Sequence, residues 1–154
     1  MRLYLVQHAE AKRGEEDPAR PLTERGREEA VKVAHHAARI GLRIEKIYHS
    51  GKLRALQTAE IMADHLRPSK GVEMAEGLDP LADPEIFAER LRSLGGDVMV
   101  VGHLPHLSRL VSLLLTGDAS IEPVSFRTAG IVCLERGEGG GWKLLWSLRP
   151  EEIA

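Results

Sequence analysis

Short apolar runs alternate along the chain with segments whose apolar residues recur every three to four positions. Leu3–Val6 is apolar at every position, as in a strand that is buried on both faces. After Thr23 the apolar residues fall at i, i+3, i+4 and i+7, which places them on one face of a helix: Ala30, Val33, Ala34 and Ala37. The chain is therefore predicted to begin with a strand and a helix, with Thr23 as the N-cap and Gly41 as the stop.

The same alternation continues through the middle of the chain. It predicts strands over Ile44–Tyr48 and Val98–Val101 and a shorter one over Val72–Ala75. A helix is predicted over Pro84–Leu94, and two others follow the strands Ile44–Tyr48 and Val98–Val101. The apolar faces of the three helices are, in chain order, Leu56, Ala59, Ala63 and Leu66, then Phe87, Leu91 and Leu94, then Leu107, Leu110, Val111 and Leu114.

The C-terminal part differs because it contains two β-rich runs in succession. Ile131–Glu135 and Trp142–Leu148 are separated by the glycine-rich stretch Gly137–Gly141, which predicts a hairpin. Elsewhere strands and helices alternate with short connections, which favours an open, mainly parallel α/β sheet with helices on both faces. We expect residues 1–154 to form one domain, with the hairpin at an edge of the sheet.

Composition narrows the classes of function. Hydrophobic residues make up 43% and charged residues 29% of the chain, which is typical of a soluble globular protein. The net charge is -2 with both signs interspersed, so no basic surface for nucleic acid is expected. The N-terminal apolar run is far shorter than a signal peptide or a membrane span, so a cytoplasmic protein without membrane contact is expected.

Unusual polar residues stand at the ends of three predicted strands. The first strand ends at His8, the second runs into His49-Ser50 with Arg54 soon after, and the third ends at Gly102-His103. The carboxyl ends of parallel strands lie at one edge of a sheet, where ligands bind beside helix N-termini. Two histidines, an arginine and free backbone N–H groups are a combination suited to a phosphoryl group.

Four motifs occur in order along the chain: Gln7-His8-Ala9-Glu10, Arg20-Pro21-Leu22-Thr23 with Gly26, Ser50 with Arg54-Ala55 and Gln57-Thr58, and Gly102-His103-Leu104-Pro105. Together they resemble the histidine phosphatase superfamily, and in particular its compact SixA-type branch. The first motif is similar to the Arg-His-Gly or Arg-His-Ala-Glu motif of that family. The resemblance covers essentially the whole chain. The short connection before Val98 leaves no room for the helical insertion of the larger, mutase-like relatives.

The resemblance implies a phosphatase that forms a phosphohistidine intermediate on His8. Such a nucleophile needs one unprotonated ring nitrogen, with the other N–H held by an acceptor. Arg54 and a protonated His103 are implied to hold the phosphoryl oxygens, with Arg20 as a third binding group. The implied substrate is phosphohistidine on a protein, and no cofactor or metal is expected.

Residue 7 departs from the family pattern, since Gln7 stands where the family has arginine. Glutamine can donate hydrogen bonds to phosphate, but it has no charge and no bidentate fork. It should therefore bind phosphate more weakly than arginine does. Arg20 and Lys12 are the candidates to compensate. We predict a weakened phosphatase in which the Gln7→Arg variant turns over faster.

The sequence leaves three points open. Glu76, Asp79 and Asp83 are all candidate proton donors to the leaving group, although the leaving nitrogen of phosphohistidine is easy to expel without one. A small phosphate ester is an alternative substrate, hydrolysed with help from one of these acids. A phosphate- or phosphoprotein-binding module without turnover is the alternative of another class, suggested by Gln7.

Overall fold

The computed structural model describes residues 1–154 and contains six strands, four α-helices and one 3-10 turn. The strands are β1 Arg2–Gln7, β2 Lys46–His49, β3 Val72–Met74, β4 Val98–Gly102, β5 Ile131–Arg136 and β6 Trp142–Leu148. The helices are α1 Glu24–Arg39, α2 Leu53–Leu66, α3 Pro84–Arg92 and α4 His106–Thr116. Every predicted element is present, and the terminal turn Pro150–Glu152 is an addition. None of the helices is both long and apolar enough to cross a membrane.

All six strands form one sheet in the order β3-β2-β4-β1-β5-β6. The first four strands along the chain, β1 to β4, run parallel to one another. β5 lies antiparallel to β1, and β6 lies antiparallel to β5 at the edge. The prediction of a mainly parallel sheet with a C-terminal edge hairpin is therefore confirmed.

The sheet is covered by helices on both faces, as predicted. In β1, Leu3 and Leu5 belong to one core cluster, which also contains buried residues of α3 and α4. Tyr4 and Val6 point to the opposite face and pack in the cluster that contains buried residues of α1 and α2. Because successive strand residues alternate between faces, a strand that is apolar throughout joins the two cores.

The buried face of α2 differs from the predicted one. The fully buried residues are Ala55, Thr58, Ala59 and Met62, whereas Leu56, Ala63 and Leu66 are only half-buried. The reason is Thr58, a polar residue in the core whose hydroxyl donates to the carbonyl of Arg54 at 2.8 Å. It also accepts from the N–H of Ala9 at 3.0 Å, so its polarity is satisfied. A count of apolar residues alone misses such a position.

Candidate active site

Three neighbouring parallel strands bring the predicted site residues to one edge of the sheet. His8 follows β1 and donates its backbone N–H to the carbonyl of Gly102, at the end of β4, at 3.0 Å. The imidazole rings of His8 and His103 have their centroids 5.1 Å apart. Ser50, which follows β2, places its hydroxyl oxygen 2.6 Å from Nε2 of His103. The folded chain therefore joins residues that are far apart in sequence.

One hydrogen bond fixes the tautomer of His8. Its Nδ1 lies 2.7 Å from the carbonyl oxygen of Ala9. A carbonyl can only accept, so Nδ1 carries the proton and Nε2 has a free lone pair. Burial, aided by the charges of Arg54 and Arg20 and opposed by the Ala9 carbonyl, lowers the pKa of His8 to about 4. The ring is therefore neutral at neutral pH, as a nucleophile requires.

His103 is also neutral in the ligand-free site. Burial, followed by the charges of His8, Arg54 and Lys52, lowers the pKa of His103 to about 3. Its Nδ1 is buried without a hydrogen-bond partner. Before ligand binding, burial and then the basic groups around the ring therefore disfavour the imidazolium form of His103. The protonated form that the resemblance implies belongs to the ligand-bound state and stays a prediction. A phosphoryl dianion beside the ring would reverse this balance and raise the pKa of His103.

Two guanidinium groups lie close to the histidines. Arg54 occupies the first turn of α2, where the helix dipole also favours an anion, and its Nε is buried without a partner. Burial and the charge of Arg20 lower the pKa of Arg54, while the Asp79 carboxylate opposes the shift. Arg20 has a left-handed backbone with φ 50 and donates from Nε to the carbonyl of Lys12 at 3.0 Å. The unpaired donors and clustered charge indicate an anion site.

Gln7 lies at the end of β1, immediately before His8. It is half-buried and is paired in the sheet with Gly102 on one side and Thr128 on the other. Its carbonyl accepts from the N–H of Ala129 at 2.9 Å. The backbone of Gln7 is thus held by the hydrogen bonds of the sheet as the last residue of β1. Its side chain brings no charge to the strand end.

Contacts with α1 and α2 anchor the segment that follows His8. Besides the bond from Ala9 to Thr58, the backbone N–H of Leu22 donates to Oε1 of Gln57 at 2.8 Å. Gly26, in the first turn of α1, packs so closely that a Cβ there would lie 2.1 Å from the carbonyl oxygen of Glu10. The motif residues Gln57, Thr58 and Gly26 therefore hold the loop in position. The sequence marks them only as parts of motifs.

The candidate acids occupy different places. Glu76 and Asp79 are exposed and line a cavity of about 260 Å³ together with Ser50. Of these two carboxylates, that of Asp79 acts on the pKa of Arg54. Asp83 lies outside this lining and caps α3 by accepting from the N–H of Glu85 at 3.0 Å. Of the three candidate acids, Asp79 is therefore the one whose charge acts on a cation of the site.

Comparison with known proteins agrees with this geometry. The sequence model of the histidine phosphatase superfamily (branch 1) matches residues 3–81, which is just over half of the chain. The chain belongs to the histidine phosphatase superfamily. Among its relatives is phosphohistidine phosphatase SixA of Escherichia coli (strain K12), 29% identical over 155 residues and covering 97% of this chain and 94% of the relative. An uncharacterized protein of Picosynechococcus sp. is 32% identical over 145 residues, covering 89% and 86%.

Solved structures of the superfamily share the whole fold. The protein histidine phosphatase SixA complexed with tungstate has a TM-score of 0.89 and 29% identity, with 99% of both chains covered. The putative phosphohistidine phosphatase SixA from Agrobacterium tumefaciens has a TM-score of 0.79 and 27% identity, with 97% of both chains covered. The resemblance to the SixA-type branch of the superfamily is confirmed.

His106 is an unusual buried residue beside the site of this histidine phosphatase. It is completely buried at the start of α4, and neither ring nitrogen forms a hydrogen bond of normal geometry. Burial and the charge of Arg109 lower the pKa of His106 to about 4, opposed by Asp79 and by the backbone of Gly77 beside the ring. The chain contains no group of three or more His, Cys, Asp or Glu side chains that could hold a metal ion. The structure thus accommodates a neutral imidazole at a cost in stability.

Replacing His106 by leucine is expected to stabilise the fold. The substitution puts an apolar side chain of similar size in place of the imidazole and removes two buried polar atoms that lack hydrogen bonds of normal geometry, whose burial costs about 1–3 kcal/mol. It should also reduce the amount by which the free energy of unfolding falls at acid pH. Below about pH 6.5 the unfolded chain protonates this histidine, whereas the folded chain does not until about pH 4, so acid destabilises the natural protein.

Denaturant unfolding at about pH 7.5 and about pH 4.5 measures both effects. The loss of unfolding free energy between the two pH values should be smaller for His106→Leu than for the natural chain. His35→Gln, at an exposed position of α1, is the matched control and should leave that loss unchanged. A variant less stable than the natural protein at both pH values would show that the imidazole has a partner after all.

Proposed function

We propose that this chain is a phosphatase that removes the phosphoryl group from phosphohistidine on a protein through a covalent intermediate on His8. The observation that carries the proposal is the hydrogen bond from Nδ1 of His8 to the Ala9 carbonyl at 2.7 Å. It leaves Nε2 unprotonated at the edge of the sheet, beside Arg54 and His103. The name of the Escherichia coli relative, a phosphohistidine phosphatase, supports the substrate class.

The first step transfers the phosphoryl group. Nε2 of His8 forms a bond to phosphorus while the bond from phosphorus to the substrate ring nitrogen breaks. The electron pair of the broken bond stays on that nitrogen, and the substrate ring leaves as a neutral imidazole because its other nitrogen carries a proton. Arg54 and Arg20 neutralise the equatorial oxygens, over which the negative charge of the transition state is spread.

The second step releases phosphate. A water molecule attacks phosphorus, the bond to Nε2 breaks, and His8 regains its lone pair while inorganic phosphate leaves. His103 takes up a proton when the dianion is bound, because the anion offsets the positive charges that keep the free ring neutral. It then donates to a phosphoryl oxygen and returns the proton when phosphate departs.

Asp79 is the proposed proton donor where the leaving group needs one. It lines the cavity beside Ser50 and is close enough to Arg54 to act on its pKa. An imidazole is a much better leaving group than an alkoxide, so phosphohistidine depends on this acid far less than an alkyl phosphate does. The same site would then handle the two substrate classes with different efficiency.

A substrate comparison tests the proposal. We expect kcat/KM to be higher for a phosphohistidine-containing protein than for an alkyl phosphate such as a sugar phosphate. We also expect Asp79→Asn to lower alkyl phosphate hydrolysis by about 100-fold, within the range of general acid catalysis, and to change phosphohistidine hydrolysis by less than about threefold. Glu76→Gln, at the other exposed carboxylate of the cavity, is the matched variant and should have little effect on either substrate.

Two results would contradict the substrate assignment. A preference for alkyl phosphates would indicate a small-molecule phosphatase that uses the same nucleophile. Anion binding without turnover of either substrate, and without phosphate on His8, would indicate a binding module.

A further inference from the structure

The end of β1 lacks a cation next to the nucleophile, because residue 7 is the uncharged Gln7. A phosphoryl dianion is bound most strongly when several fixed positive charges surround its oxygens. Arg54 and Arg20 are two such charges. A third basic residue, Lys52, lies in the segment between β2 and α2.

The backbone of Lys52 is part of the site. It is the N-cap residue of α2, two positions before Arg54. Its N–H donates to the hydroxyl oxygen of Ser50 at 3.3 Å, and the same oxygen lies 2.6 Å from Nε2 of His103. The side chain of Lys52 therefore starts two residues after Ser50, beside the hydrogen bond between Ser50 and His103.

The ammonium group of Lys52 is not engaged elsewhere in the protein. Lys46, Lys70 and Lys143 each form a salt bridge with a glutamate. Lys52 takes part in none of the ten salt bridges of the chain, although its side chain is half-buried. Its charge reaches the site, since it is among the groups that lower the pKa of His103, after burial, His8 and Arg54.

Lys12 is differently placed. Its side chain is exposed, and its contact with the site is made by its carbonyl oxygen, which accepts from Nε of Arg20 at 3.0 Å. The sequence suggests Arg20 and Lys12 as the residues that compensate for the missing charge of Gln7. The charge of Arg20 lies at the site, whereas Lys12 contributes its backbone carbonyl, which holds Arg20.

We infer that Lys52 is a phosphoryl-binding residue of this enzyme and supplies part of the positive charge that Gln7 does not. The inference rests on the proposed function, since it directs the ammonium group to the same phosphoryl oxygens. A lysine contributes a compact charge on a flexible stem and cannot form the bidentate fork of arginine, so the compensation is partial.

A double-mutant cycle tests the inference. The dissociation constant of tungstate, a tetrahedral oxyanion that the similar SixA structure contains, is measured for the natural chain, Lys52→Gln, Gln7→Arg and the double variant at fixed salt. We expect Lys52→Gln to weaken binding about tenfold, the usual size of a hydrogen bond to a charged group. In the Gln7→Arg background the same change should cost less than about threefold, because the arginine then neutralises the same oxygens.

Two controls separate a binding role from a structural one. Lys52→Arg keeps the charge and should bind tungstate within about threefold of the natural chain, while thermal unfolding checks that each variant is folded. Lys32→Gln removes an exposed lysine from α1 and should leave tungstate binding unchanged.

The outcomes are distinct. Equal binding by Lys52→Gln and Lys32→Gln, or equal losses with and without Gln7→Arg, would overturn the inference. If the coupling appears but no phosphorylated substrate is turned over, the proposed function fails while Lys52 stands as an anion-binding residue.

Discussion

Replacement of His8 by alanine is expected to abolish turnover, lowering kcat by on the order of 10⁴-fold or more, as loss of a nucleophile does in other covalent enzymes. The reason is the free Nε2, which no neighbouring side chain can replace. Quenching the natural enzyme in alkali with phosphorus-labelled substrate should leave acid-labile phosphate on the protein, and peptide mapping should locate it on His8. The variant should carry none.

The pH profile gives a second readout for the same residue. Because the pKa of His8 is about 4, kcat/KM should show no loss from protonation of the nucleophile until the pH falls towards that value. His36→Ala, at a half-buried histidine of α1, is the control and should retain turnover and the labelled adduct. Labelled phosphate on a residue other than His8 would refute the assignment of the nucleophile.

Replacement of Arg54 by glutamine is expected to lower kcat/KM by about 100- to 1,000-fold. Arg54 lies at the N-terminus of α2 with an unpaired buried Nε, so its charge and its donors both face the anion site. Arg54→Lys should recover only part of the loss, since it restores the charge without the fork. Steady-state kinetics on phosphohistidine protein and tungstate affinity provide the measurements.

The two readouts distinguish transition-state from ground-state binding. A fall in kcat larger than the rise in the tungstate dissociation constant would show that Arg54 acts mainly on the transition state. Arg25→Gln, at an exposed position of α1, should leave both quantities unchanged. A loss of less than about threefold for Arg54→Gln would mean that Arg20 and Lys52 carry the phosphoryl charge without it.

The sequence predicts the sheet, and the convergence of the candidate site residues at one edge of it, because both follow from local patterns. The buried strand before His8 is continuous in apolar residues. β1 and β2 end on the polar residues Gln7 and His49, and His103 follows directly after β4. Since parallel strands share the direction of their ends, no knowledge of strand order is needed to bring His8, Ser50 and His103 to one edge.

The protonation states of the site residues and the contacts that hold the site in place are harder to predict from the sequence. The low pKa of His103 depends on its burial and then on the basic groups that the fold brings around it, which no local pattern shows. Thr58 belongs to the core through two hydrogen bonds, so a pattern of apolar residues excludes it. The nearness of Asp79 to Arg54 is likewise a tertiary property, and it separates Asp79 from Glu76 only after folding.

Gly26 shows that an active site can depend on a residue that offers it no atoms. The space where its side chain would stand is occupied by the backbone of Glu10, two residues beyond the nucleophile. An alanine at this helical position would suit α1 by propensity and yet push against that segment. A damaging variant at Gly26 would therefore present as an enzyme defect in a folded protein, and a survey of side chains near the phosphate would not find its cause.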